Sequence, residues 1–403
     1  VVQSVQNRDR RRVQRIFLAG LILLVIAGTL RLFGTDTLTR WKASRLSDDA
    51  LATVAKGTNA PYPYVFEWAR RLEAGGRLPE AQRVYVRAME LAPTNVEPWV
   101  GVGRTAFAVG DWGKSAAVLG KTVEQWPDNA QAHFAYAAVL ASTFRVRKAI
   151  EQMQSGIKLN PAKGEAYVTL GELETREGNA AAAADAYAQA RKLVPNTKRL
   201  QSFYGGALVN AGRYLEAQPV LEAALKEDPS DINARFDMGK ALANDGKEAD
   251  RSRAMQELNR VVEFSQNKSR AYLEAARVWL REGDRGNGIQ ALEHAYDLNP
   301  NNVDVLTLMV QAYNAEGRHM EAQKVQRTLD QAQAIADEHK GVLARLDADE
   351  DVVPNLIRLG RIDVKMGNFL EAQTAFVAAA ALDPGNADAA RELKSVAAKL
   401  HQK

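Results

Sequence analysis

Hydrophobic and small residues recur along most of this chain with a helical period, and the helical stretches are themselves repeated. From about residue 62 onward, apolar positions three and four apart form runs of 12 to 15 residues, broken by Gly and then by Pro. This is the pattern of short amphipathic helices, each burying one stripe. Prolines fall at Pro93, Pro127, Pro161, Pro195 and Pro229, 34 residues apart each time, with Pro300 and Pro384 further on. When that proline is position 32 of a unit, small residues recur at positions 8 and 20, a large one at 24, usually a small one at 27, and glycine near 15. The unit from 164 to 197 shows the pattern in Tyr167, Leu170, Gly171, Gly178, Ala183, Tyr187, Ala190 and Pro195. The unit from 198 repeats it in Tyr204, Gly205, Leu208, Gly212, Ala217, Leu221, Ala224 and Pro229. Small residues at 8 and 20 let the two helices of a unit approach closely, large ones at 4, 7, 11 and 24 fill the spaces between units, and the glycine supplies the freedom of a tight turn.

Nine such units begin near residues 62, 96, 130, 164, 198, 232, 269, 303 and 353. Two are irregular. The sixth, 232–268, has three extra residues in its charged turn, and Gln266 stands where proline is expected. In the eighth, 303–352, the second helix runs from His319 towards His339, and a separate stretch from Gly341 to Val352 follows. Pro79, Pro98 and Pro354 sit at expected helix starts, where a missing N–H costs little. Residues 386–403 read as a capping helix that closes a stack of units with a polar face.

A helix–turn–helix unit of 34 residues repeated in register resembles the tetratricopeptide repeat (TPR) family over about residues 62–400. The resemblance implies an all-α fold, a right-handed superhelical solenoid of helix-turn-helix repeats over 62–385, and a protein that binds other proteins rather than transforming a substrate. In that family the first helix of each unit lines a concave groove through positions 2, 5, 9, 12 and 13. Those positions here place Phe66, Phe107, Phe134 and Phe236 beside Arg70, Arg104, Arg199, Lys240, Arg270, Arg277, Arg281 and Arg361. Phenylalanines beside cations suit a peptide segment carrying apolar and acidic side chains; equally, the phenylalanines can pack between units. The lysine–asparagine clamp that some relatives use for a C-terminal carboxylate is not reproduced.

The remaining features lie mostly at the N-terminus. No charged residue occurs from Ile16 to Leu30, and the apolar run continues past Arg31 to Phe33. Eighteen helical residues span about 27 Å, close to the roughly 30 Å of a hydrocarbon core, so 16–33 is expected to be an uncleaved transmembrane anchor. Residues 34–61 then form a juxtamembrane linker. The net charge of the whole chain is +4. Five arginines and one acid in residues 1–15 already account for it, so the rest is neutral and carries no nucleic-acid footprint. That basic cytoplasmic tail, against a looser group at Arg31, Arg40, Lys42 and Arg45, favours a cytoplasmic N-terminus with the repeats outside. The expected setting is therefore a bacterial cytoplasmic membrane, crossed once, with the repeats facing the periplasm or exterior.

Candidate chemistry is sparse. The chain has no cysteine, which excludes disulfides and thiolate zinc sites. His133, His294, His319, His339 and His401 lack metal-ligand spacing. Ser155 and Lys158 match an acylating Ser-x-x-Lys pattern without its companions. The acidic run Asp347-Ala-Asp349-Glu350-Asp351 has Val352 where a calcium loop needs glycine and Arg358 where it needs glutamate, so it reads as a solvated loop before a helix. No catalytic, cofactor or metal site and no small-molecule substrate is expected. Three roles fit: a membrane-anchored scaffold or adaptor recruiting protein partners through its groove, a permanent subunit of a larger membrane or surface complex, or an accessory factor of an envelope system such as polysaccharide export or cytochrome maturation.

Overall fold

The computed structural model describes residues 37–265 and 268–400, all of whose regular elements are helices. The basic tail, the apolar run 16–33, Gln266 and His401 lie outside the described residues. The chain divides into two compact parts, one ending at Asp111 and the other starting at Trp112.

The N-terminal part contains α1 (37–45), α2 (Asp48–Lys56), α3 (Tyr62–Ala74), α4 (Leu78–Leu91) and α5 (Val96–Ala108). Residues 37–61, within the stretch expected to be a linker, are thus largely helical. Ser47 caps α2 by accepting from the Ala50 N–H, Asp48 and Asp49 occupy its first turn, and Leu51 and Ala55, four residues apart, are buried. These are ordinary helix signals; they are hidden from a search for 34-residue periodicity because this segment precedes the first unit. Arg71 ties α3 back to the region, donating to the Leu46 and Ser44 carbonyls and to Asp48.

The C-terminal part contains α6 (Trp112–Gln125), α7 (Ala130–Ser142), α8 (Val146–Leu159), α9 (Gly164–Glu177), α10 (Ala180–Leu193), α11 (Leu200–Asn210), α12 (Tyr214–Glu227), α13 (Ile232–Asn244), α14 (Arg251–Phe264), α15 (Ser269–Arg281), α16 (Arg285–Leu298), α17 (Val303–Ala315), α18 (His319–Asp347), α19 (Val352–Met366), α20 (Phe369–Leu382) and α21 (Ala387–Leu400). Within this part each helix packs on its neighbours in sequence, and several first helices also touch the next first helix, as α11 touches α13. The small residue at position 8 meets the large one at position 24 of the same unit. A Cβ added at Gly171 would lie 2.6 Å from the Tyr187 ring, at Gly205 2.5 Å from Leu221, and at Gly360 2.5 Å from Phe376. Such approaches admit only hydrogen at that position.

The turn between the two helices of a unit is a Schellman motif. At Gly178, φ is +87° and the Asn179 N–H donates to the Glu174 carbonyl at 2.8 Å. Gly76, Gly212, Gly283, Gly317 and Gly367 repeat it with positive φ, as the left-handed C′ position demands. The third unit departs from this pattern. Phe144 holds the glycine position at φ +60°, and the Arg145 N–H still donates to the Leu140 carbonyl at 2.9 Å.

The eighth unit differs from expectation in one respect. Its second helix does not stop near His339 but continues through Gly341 to Asp347, 29 residues in all. Ala332, Val342 and Leu346 are buried along it, so the apolar stripe outlasts the repeat pattern and carries the helix across a single glycine, at a cost of about 1 kcal/mol.

Candidate functional site

The first helices present the residues assigned to the groove, and the structure gives most of their cations partners in adjacent first helices. Arg104 donates to Glu73 from Nε at 2.8 Å. Arg199 lies 3.6 Å from Asp231, and Arg277 bridges Glu274 at 2.7 Å and Asp304 at 3.4 Å. Lys240 donates to Asn210 Oδ1 at 3.2 Å. Arg281 donates to the Ala243 carbonyl and to Asn244, and Arg361 to Glu392 and Asp388. Arg70 pairs within its own helix with Glu67. These are links between or along units, each with exposed atoms and each contributing about 0–1 kcal/mol. The carboxylate partners in neighbouring units sit about one unit away in sequence, where a position-by-position reading does not pair them.

The phenylalanines divide as well. Phe66 stacks on Tyr62 and meets Tyr85 edge-on. Phe134 packs on Gly156, where a Cβ would come within 2.5 Å of its ring. Phe107 is half-buried. Phe236 is 6% exposed, with Arg270 lying 4.4 Å over its ring. Packing between helices thus accounts for Phe66 and Phe134, while Phe236 belongs to a recess.

That recess, of about 180 Å³, is formed by first helices α11, α13 and α15 with Tyr187 of α10 and Thr175 of α9. Arg199 lies 5.4 Å over the Phe203 ring and Arg270 4.4 Å over Phe236, so two cations sit over two aromatic rings in one cavity. Gly206 leaves room for Asp237: a Cβ there would lie 2.7 Å from Asp237 Oδ2. Burial pushes the Asp237 carboxyl up to about 6, although Arg270 and Lys240 pull it back and Asp231 adds to the rise. Among the described residues, neither Asp237 nor Arg270 has a hydrogen-bond or ion-pair partner. The cavity therefore offers both a hydrogen-bond donor fork and an acceptor whose own pairing is incomplete. Asp237 and Gly206 were not singled out from sequence. The available signal was the second glycine of Gly205-Gly206, at a groove-facing position where packing between helices needs none.

Elsewhere the polar groups are structural. His133 bonds Gln152 and the Pro127 carbonyl, His339 faces Asp363 at 3.3 Å, and Ser155 donates to the Glu151 carbonyl of its own helix. Among the described residues, no three His, Asp or Glu side chains group as metal ligands. The acidic run is an exposed loop from Ala348 to Asp351 before α19, as expected, but Asp347 and Asp349 also pair with basic residues of the third unit, some 200 residues away in sequence.

Family models described as tetratricopeptide repeat match residues 208–278 and, separately, 101–145, 145–196 and 357–398. The chain is built of tetratricopeptide repeats. Over 154 residues this TPR chain is 29% identical to the protein CTR9 homolog of Arabidopsis thaliana, covering 37% of this chain and 14% of that protein. Among solved structures, PilW, a widely conserved type IV pilus biogenesis factor, is 19% identical with a TM-score of 0.42, covering 50% of this TPR chain and 91% of its own. Pseudomonas aeruginosa pilF is 17% identical at 0.39, over 55% and 97%. YrrB, a TPR protein with an unusual peptide-binding site, is 22% identical at 0.37, over 48% and 98%.

Proposed function

We propose that this TPR chain is a non-catalytic protein-interaction scaffold which holds a segment of a partner protein in the recess over α11, α13 and α15, and which is tethered by residues 16–33 to a bacterial cytoplasmic membrane with its repeats outside the cytoplasm. The observation that carries the binding part is the contrast within one surface. Most groove cations are already engaged with neighbouring units, whereas Arg270 and Asp237 share a cavity and have no hydrogen-bond or ion-pair partner among the described residues. A peptide main chain, or a side chain with both donor and acceptor atoms, can satisfy the two together. The tether rests on the length and flanking charges of the apolar run.

Affinity capture from detergent extracts tests the binding part. R270E should lose the partner, while R361E, which disturbs only a surface link to α21, should retain it; loss with R361E alone would move the site. Removing residues 1–33 should release the chain from sedimented membranes into the soluble fraction. Retention in the pellet after a high-salt wash would remove the tether from the account.

A further inference from the structure

The two ends of the C-terminal part meet. Helix α6 packs against α20 and α8 against α18, although 159 or more residues lie between the members of each pair in sequence. Trp112 and Phe144 join the apolar cluster built around Val342, Leu346 and Phe376. A Cβ on Gly113 would lie 2.9 Å from the Leu382 carbonyl oxygen, so the start of α6 abuts the end of α20.

The polar half of this junction is a seat for carboxylates. α8 has no side-chain cap of its own. Its exposed Arg147 N–H instead donates to Asp347 Oδ1 at 3.1 Å, and Arg147 Nε lies 3.9 Å from the same carboxylate. Arg145, with only 9% of its side chain exposed, donates to Asp349 Oδ1 at 3.0 Å, and Lys148 donates to Asp349 Oδ2. An uncapped helix start flanked by two cations is a favourable place for negative charge.

We propose that the first turn of α8, with Arg145 and Lys148, is a docking site for acidic segments, and that its occupant is the 347–351 loop of the same chain, which latches the C-terminal part into a closed ring. Three features mark the junction as built. Both partners place a non-glycine residue in the left-handed position of a Schellman turn: Phe144 at φ +60° and Asp349 at φ +59°, with the Glu350 N–H donating to the Arg345 carbonyl at 3.0 Å. Such conformations persist only where surrounding contacts hold them. Phe144 is held by the cluster and by Arg176, 4.6 Å over its ring. The third feature is α18 itself. At 29 residues it reaches about 43 Å, twice the reach of the 14-residue helices, and it delivers the loop to the third unit.

Salt is the lever for release. Burial pushes Asp349 up, but hydrogen bonds from Lys148 and Arg145 outweigh it and hold the carboxyl below the usual range. Burial, reinforced by Glu177, raises Asp347 against the pull of Arg147 and Lys148. Acid thus acts on the two aspartates in opposite senses, whereas ionic strength weakens both contacts alike.

Because the chain lacks cysteine, spin labels on E151C of α8 and A344C of α18, both exposed positions, report closure in the full chain in detergent. At about 50 mM salt a single narrow, short distance is expected, and at about 1 M salt at least half of it should shift to longer, broader distances. D349K should produce the same shift at low salt, and adding K148E should recover part of the short population. F144G, which restores the glycine of the other turns and so leaves the fold intact, should broaden the distance as well. A short distance that persists in D349K, in F144G and at high salt would overturn the latch, as would its absence from the unaltered sequence at low salt.

Discussion

Two glycines inside helices separate packing from intrinsic propensity. A Cβ at Gly171 in α9 would sit 2.6 Å from Tyr187 Cε1 and 2.7 Å from Cδ1 and Cζ. Tyr187 is 2% exposed, in a cluster with Ala183 and Ala190, so its ring has nowhere to retreat. Gly341, inside α18, has no atom within 4 Å of the corresponding point. Replacing either by alanine raises helix propensity by about 1 kcal/mol. At position 171 overpacking opposes that gain by about 1–3 kcal/mol. G341A should therefore stabilise by about 1 kcal/mol, while G171A should come out less stable than G341A by about 1–3 kcal/mol, the propensity terms cancelling between them. Urea unfolding followed by circular dichroism under one set of conditions measures the difference. Equal stabilisation by both would refute the argument that position 8 must be small because of the residue at position 24.

Further outcomes follow from individual contacts. Asp237 titrates near 6 in the folded chain, above an ordinary carboxyl. Its contribution is thus fully present below the unfolded value of about 4 and is lost as pH rises through 6, so D237N should gain stability over the unaltered chain at about pH 7–8 and lose that advantage near pH 4 in paired thermal melts. N302A removes the cap that accepts from the Asp304 and Val305 N–H groups and should cost about 1 kcal/mol in chemical denaturation. Arg235 pairs with Glu257 at 2.7 Å, both side chains being mostly buried, and also donates to the Pro229 carbonyl. R235A should cost about 2 kcal/mol, less than the loss of a fully buried pair because Arg260 remains 3.8 Å from Glu257.

What the sequence disclosed and what it hid follow a physical division. Proline at position 32 and glycine at 15 act locally, through φ and the missing N–H, so the turns at Gly178 and Gly367 were readable residue by residue. The close approach of the two helices of a unit was readable from the small residues at 8 and 20, but the large residue at 24, expected between units, packs on position 8 of its own unit, as Tyr187 does on Gly171. Contacts between units were not readable. Nothing near Arg277 in the sequence says that its carboxylate is Asp304, and nothing near Asp349 says that it meets Arg145. The repeat frame also drew attention away from what falls outside it: α2, with its own cap and buried Leu51, and the continuation of α18 beyond Gly341. The recess was half legible. Arg270 and Phe236 were placed by groove position, whereas Asp237 lay one residue off the expected positions and needed the gap left by Gly206 to be noticed.

The central claim is that a partner protein occupies the recess over α11, α13 and α15. Site-specific photo-crosslinking in intact cells tests it directly, with the photoreactive residue placed at Asn210, which lines the recess, or at the exposed Leu215 of α12. The account predicts a discrete protein adduct from position 210 that disappears in R270E, and none of the same mass from 215. An adduct from 215 but not from 210, or one from 210 that R270E leaves unchanged, would contradict it.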